Sequence, residues 1–181
     1  GRIFRSTSDM EVIPHLLGVH GLAAINQLRG MFALIILDKA ADSVHLVRDR
    51  LGEKSISYYQ RGNATYFSSE QSALVTSGLV KFQIDATQLP DYLLHGYTPE
   101  PHSLIIGVKK VPAGSVLTIR LRDGAISIES YWDAMDYVGS ETLVPEVLAN
   151  KIQDAVRVSC TSDVPVGISL SGGLDSSIVA T

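Results

Sequence analysis

The 181 residues carry a net charge of −4, 45% hydrophobic side chains and one cysteine, Cys160. That is enough apolar surface for a sizeable core, while scattered charges with a small acidic excess argue against a nucleic-acid surface, which needs a clustered basic stripe. A single cysteine excludes an internal disulfide framework, and apolar runs no longer than residues 31–37 are too short to span a bilayer.

The chain opens on Gly1 with no hydrophobic signal core, so the expectation is a cytoplasmic protein, free of membrane, whose sequence begins inside a domain. The stretch STSDMEVIPHLLGVHG predicts a helix. Ser8 and Glu11 have capping-box spacing, Asp9 suits the positive helix end, and Gly21 closes the far end. Val12, Ile13, Leu16 and Leu17 give it one apolar face. Pro14 removes a backbone donor, which predicts a kink or a late start.

GMFALIILD is a continuous apolar run bounded by Gly30 and Asp38, and predicts a buried strand. SVHLVRD pairs with it through the KAAD turn, and ISYY with ATYFSS forms a hairpin about QRGN. SEQSALVTSG predicts a short helix. DATQLPDYLLHG predicts another, with a second capping box from Asp85 to Gln88. TPEPHS and VPAGS are a loop and a turn, and VLTIRLRDGAISIES is a hairpin about Asp123 and Gly124. Residues 1–132 thus predict an α+β region of antiparallel strands interleaved with helices.

Residues 133–142 predict a linker by their glycine, serine and acids. From 143 onward the pattern is α/β. Val144, Val147, Leu148, Ile152, Ala155 and Val156 share a helix face, with Pro145 tolerated in the first turn. VPVGISL then predicts a buried strand, SGG a turn and LDSSIVAT the opening of a helix. Strand, glycine turn and helix is how an α/β nucleotide-binding domain begins.

The turn SLSGGLDSS carries the chemistry. Backbone N–H groups in a tight turn at a helix N-terminus make an anion site, and glycines let phosphate oxygens approach. Ser171, Ser176 and Ser177 add hydroxyl donors, and Asp175 suits a magnesium ion. The turn has no lysine, so it is not the G-x-x-x-x-G-K-[ST] loop, and it lacks G-x-G-x-x-G spacing. The five histidines share no metal-ligand spacing and read as structural. Cys160 reads as a small buried hydrophobe on its helix. Arg48, Asp49 and Arg50 read as structural charges pairing across a hairpin exit.

The S-G-G-L-D-S-S turn after an apolar strand resembles the pyrophosphate loop of the ATP pyrophosphatases. With RSTSDMEV, LRGMFALIILD, RDRLGEK, FSSEQSAL, HGYTPEPHSLIIGVKKVPAG and YWD upstream in that order, the whole chain resembles the glutamine-hydrolysing asparagine synthetases. The resemblance implies an N-terminal-nucleophile αββα amidotransferase sandwich over 1–132, missing its front part. It also implies the start of an adenine-nucleotide α-hydrolase-like, Rossmann-like PP-loop domain over 143–181.

The activity so implied makes asparagine from aspartate. Glutamine-derived ammonia attacks a β-aspartyl-adenylate, and AMP and pyrophosphate leave. ATP and Mg2+ are the implied cofactors; glutamine, aspartate and ATP are the small-molecule substrates; a homodimer is expected of the full-length protein.

By the same resemblance Asp9 holds the α-ammonium of glutamine, although on its own it reads as a favourable charge at a helix start. Leu170, Ser171, Gly172, Gly173, Asp175, Ser176 and Ser177 hold ATP and its pyrophosphate, with Asp175 on magnesium. The family's cysteine nucleophile and its asparagine-glycine oxyanion segment are expected upstream of Gly1, so the 181 residues as they stand are expected to be a piece truncated at both ends, without glutaminase activity. Ser55 and Ser57 replace a proline and an aromatic common in the family, which bears on local packing. Ligases for another carboxylate, and β-lactam-forming synthetases, share these motifs. A non-catalytic regulatory protein of the amidotransferase fold is the reading from a different class.

Overall fold

The computed structural model describes residues 3–139 and 144–180. The chain divides into two compact units, Gly1–Asp136 and Tyr137–Thr181. In the first, the predicted helix starts late. Asp9–Glu11 form a 3-10 turn, and α1 (Val12–His20) begins only at Val12. Pro14 thereby falls in the first α-helical turn, where its missing N–H costs no helical bond. Gly21 ends the helix at φ 58°.

Half of the predicted capping box forms. The Ser8 hydroxyl accepts the Met10 N–H at 3.3 Å, but Glu11 turns away from Ser8. Its carboxylate accepts the N–H groups of Arg5 and Ser6, both at 2.8 Å, and the Ser6 hydroxyl. The second box differs in the same way. Asp85 accepts from Thr87 N–H, while the amide of Gln88 donates to the Thr87 hydroxyl.

Among the described residues seven strands form two antiparallel sheets. β1 (Ala33–Asp38), β2 (Ser43–Arg48), β6 (Ser115–Arg120) and β7 (Ile126–Ser130) run in the order β1-β2-β6-β7. β3 (Ser57–Arg61), β4 (Ala64–Ser68) and β5 (Val108–Lys110) run in the order β4-β3-β5. Alternation along each strand sends neighbouring side chains to opposite faces, so Leu46 and Val47 of β2 enter different cores. Leu46 packs with Leu117 and Ile119 against Ile56, Tyr58 and Val111, which joins the two sheets. Val47 packs with Leu34 and Ile25 beneath Ile13 of α1. On the second sheet Tyr59 faces away from Tyr58 and packs with Leu74 of α2 (Gln71–Thr76), Val80, Ile105 and Val108. α3 (Leu89–His95) follows a 3-10 turn and is closed by Gly96 at φ 77°.

In the first unit one strand expectation changes and one strand was not expected. The run 30–38 is not buried on both faces: β1 is a sheet edge, and Ile35 and Leu37 are exposed while Leu34 and Ile36 meet the core. β5 is only three residues long, so alternation has no length in which to show; its pairing with β3 creates it.

In the second unit α4 (Pro145–Ser159) forms with Pro145 at its start, as its pattern predicts. α5 (Leu174–Ala180) follows the glycine turn. VPVGISL does not form a buried strand. It has no strand assignment, and Val164, Val166, Ile168 and Leu170 are all more than half exposed. A strand exists only through a neighbour's hydrogen bonds, and among the described residues none pairs with it. Cys160 is a second correction. It sits just past the end of α4 and is exposed, because the face that would bury it carries no cover among the described residues. No described helix is long and apolar enough to cross a membrane.

Candidate functional site

Asp9 stands in the 3-10 turn at the entrance to α1, held there by the Ser8 cap behind it and by Glu11, which fastens Arg5 and Ser6. The Ser6 hydroxyl, followed by the Arg5 N–H, holds the Glu11 carboxyl below the usual carboxylate range. Asp9 lines a cleft of about 650 Å3. The remaining walls come from Met10 and Ile13, from Arg29, Met31, Phe32 and Ala33 leading into β1, and from Lys54, Ser55, Ser69 and Glu70. An apolar wall with a carboxylate at the rim and cationic side chains nearby suits a small zwitterion.

A second cleft of about 490 Å3 shares Ser55, Ser69 and Glu70 with the first and adds Arg48, Ser57, Tyr97, Glu100 and Lys110. Lys110 donates to the carbonyl and hydroxyl of Thr98 at 2.7 and 3.0 Å. Burial lowers its pKa, opposed by Glu100 and assisted by Arg48. Ser57 is buried in β3, and the Ser55 hydroxyl donates to the Ser69 carbonyl at 2.6 Å. The small hydroxyls of Ser55 and Ser69 therefore border both clefts.

The segment RDRLGEK has a structural role, but not through mutual pairing of its charges. Arg48 donates to the carbonyls of Lys54, Val111 and Gly52 and pairs with Glu100. Arg50 donates to the carbonyls of Leu28 and Asn26. Asp49 accepts three backbone N–H groups, from Phe32, Glu53 and Lys54. Lys54, Ser55, Ser69 and Glu70 were not singled out from sequence as cleft residues. The signal available was that RDRLGEK and FSSEQ each end in polar residues just outside a strand.

The S-G-G-L-D-S-S turn, predicted to hold phosphate, lies in the second unit. Gly172 has φ 79°, a conformation that L side chains rarely adopt. The Ser171 and Ser176 hydroxyls are 3.0 Å apart, and the Ser176 and Ser177 hydroxyls donate to the Gly173 carbonyl at 3.1 and 2.7 Å. The Gly173 N–H points to the Ser171 hydroxyl at 3.4 Å. Leu170, Gly172, Gly173 and Asp175 are exposed. Three hydroxyls and a glycine N–H gathered on one turn are a donor set that fits phosphate oxygens. A lone exposed carboxylate fits a magnesium ion whose remaining ligands are phosphate and water; among the described residues no group of three or more His, Cys, Asp or Glu side chains converges. Asp9 and residues 170–177 belong to different units, and each site is built from its own unit's residues.

Residues 1–132 match the family model described as a glutamine amidotransferase domain, and residues 147–181 match that described as asparagine synthase. The chain is 37% identical over 184 residues to the glutamine-hydrolysing asparagine synthetase 1 of Bacillus subtilis, covering all of this chain and 29% of that protein. It is 35% identical over 176 residues to a putative enzyme of the same name from Methanocaldococcus jannaschii, covering 95% of this chain and 34% of that one. It is also 31% identical over 184 residues to the amidase chry2 of Gibberella zeae, covering 98% of this chain and 26% of that protein. The chain thus spans about a third or less of the length of these relatives.

Proposed function

Because the chain belongs to the glutamine amidotransferase domain family, with a match to asparagine synthase behind it, we propose that the intact protein makes asparagine from aspartate, ATP and glutamine. The observation that carries this reading is the coexistence, in one chain, of the Asp9 cleft and the S-G-G-L-D-S-S turn. In this reading 1–132 is part of an αββα amidotransferase sandwich, 133–142 a linker and 143–181 the start of a PP-loop ATP pyrophosphatase domain. Apolar clusters between the two sheets and on their outer faces support the sandwich.

Asp9 takes the α-ammonium of glutamine through a charge-assisted bond. In the second unit the turn holds the β- and γ-phosphates of ATP. The hydroxyls of Ser171, Ser176 and Ser177 give up their bonds within the turn, to one another or to the Gly173 carbonyl, and donate to phosphate oxygens. Gly172 and Gly173 keep the backbone bare enough for close approach, and Leu170 places backbone beside the adenosine. Asp175 would hold Mg2+, which would supply charge neutralisation for the pyrophosphate group. The β-carboxylate of aspartate attacks the α-phosphorus, the bond to pyrophosphate breaks, and ammonia then displaces AMP. The turn's lack of a lysine favours pyrophosphate departure over transfer of the γ-phosphate.

A second reading, a related amidotransferase or ligase acting on another carboxylate, draws on the 31% identity to chry2, which is named an amidase and not an asparagine synthetase. The nucleotide product decides. With aspartate, glutamine and magnesium, the intact protein is expected to release AMP and pyrophosphate in step with asparagine. ADP and phosphate would sink the mechanism, and AMP formed only with a different acid would sink the substrate. Asp9→Asn is expected to raise the glutamine requirement about tenfold while sparing synthesis from free ammonia.

A further inference from the structure

Asp49 is 1% exposed and stands between two arginines, yet its carboxylate is occupied by backbone. Oδ1 accepts the Glu53 N–H at 2.9 Å, and Oδ2 accepts the Lys54 N–H at 2.9 Å and the Phe32 N–H at 3.3 Å. Its own N–H donates to the Phe32 carbonyl at 3.0 Å, and its carbonyl accepts from Gly52 and Gly114 at 3.1 and 2.8 Å. Phe32 is thus held at both its N–H and its carbonyl. The guanidinium groups beside Asp49 are engaged elsewhere, Arg48 with Lys54, Val111, Gly52 and Glu100, and Arg50 with Leu28 and Asn26.

Two of the three residues tied to this carboxylate, Phe32 and Lys54, line the Asp9 cleft. Phe32 belongs to the lining stretch that leads into β1, and Lys54 with Ser55 to a second lining stretch. The two walls are 22 residues apart in sequence (54 − 32) and share no strand pairing with each other. A charged acceptor makes stronger bonds than a neutral one, and its loss leaves the N–H groups of Phe32, Glu53 and Lys54 without this partner. We propose that Asp49 is a positioning residue for the Asp9 cleft: it sets the separation of the Phe32 and Lys54 walls, and with it the affinity for the zwitterionic amino acid that Asp9 engages. This rests on the reading of that cleft as the glutamine site.

The test uses the intact protein. Asp49→Asn keeps the shape but turns an acceptor oxygen into an NH2 that faces backbone N–H groups. The expected result is a KM for glutamine raised about tenfold, with the kcat of ammonia-dependent synthesis held within about twofold, since uniform binding is what is lost. Asp49→Glu keeps the charge and is expected to recover part of the loss. An unchanged KM in a folded Asp49→Asn protein overturns the inference, as does an equal fall in glutamine- and ammonia-dependent rates, which would make Asp49 a folding residue only. If Asp49→Asn does not fold, Asp49→Glu decides: its extra methylene displaces the Lys54 wall, so a raised KM supports the role and a wild-type KM overturns it. Asp9→Asn separates the two layers. An unmoved KM there overturns the glutamine reading of the cleft, whereas a raised KM there with none in Asp49→Asn overturns the positioning role alone.

Discussion

At the scale of single residues the charged side chains do more to hold backbone than to meet one another. Arg48 shows the pattern: three of its contacts are carbonyls and one is Glu100. His45 is the neutral counterpart. It is buried in β2, its ring nitrogens 3.1 Å from the Ser43 hydroxyl and 2.9 Å from the Thr118 hydroxyl. Burial lowers its pKa from the ordinary 6.5, with Asp38 opposing. A base whose folded pKa is depressed costs nothing while both states are neutral. As pH falls through 6.5 the unfolded chain takes the proton first, and stability is lost until the lower, folded pKa is passed. Urea midpoints are therefore expected to decline between about pH 7 and pH 5, and His45→Gln should flatten that decline. An identical slope in both proteins would assign the titration to another group.

At the scale of elements, turns decide which strands meet. Gly124, at φ 70°, lies where the β6–β7 turn rests on the β3–β4 turn: a Cβ there would sit 2.2 Å from the Asn63 carbonyl oxygen. The Gln60 amide also donates to the Gly124 carbonyl at 2.7 Å. Gly62 has a similar φ of 60° but open space around it. Gly62→Ala is expected to cost about 1 kcal/mol for conformation alone, and Gly124→Ala about 2 kcal/mol or more, because the Asn63 backbone must also give way. Equal denaturation midpoints for the two variants would show that the turns do not press together. Both hairpins were legible in sequence, since Gly62-Asn63 and Asp123-Gly124 sit between alternating runs. The contact between their turns was not, because it joins segments about 60 residues apart in sequence.

At the scale of the whole molecule, the two units differ in how much they bury. Gly1–Asp136 contains three apolar clusters. The described residues 144–180 include none that is buried. A 15-residue helix such as α4 gains little stability in water without a covered face. In hydrogen exchange on the 181-residue polypeptide, amides of β2 and β6 are expected to be protected and those of α4 to exchange orders of magnitude faster. Comparable protection in α4 would mean that its apolar face is covered in solution.

The sequence by itself determined what depends on neighbours along the chain. The late start of α1, with Pro14 in its first turn, the hairpin turns and the glycine turn before α5 all follow from local sterics and local hydrogen bonding. Asp9 was legible as a helix-entry carboxylate for the same reason. Only the tertiary structure decided the rest. It made β1 an edge with Ile35 and Leu37 exposed, drew β5 out of three residues, left VPVGISL without a strand and placed Cys160 at the surface. It also joined Asp49 to Phe32 and Lys54, and so built the cleft that Asp9 borders. A strand's pairing, a side chain's cover and a carboxylate's choice of donors are set by partners distant in sequence, and no local pattern encodes which partner arrives.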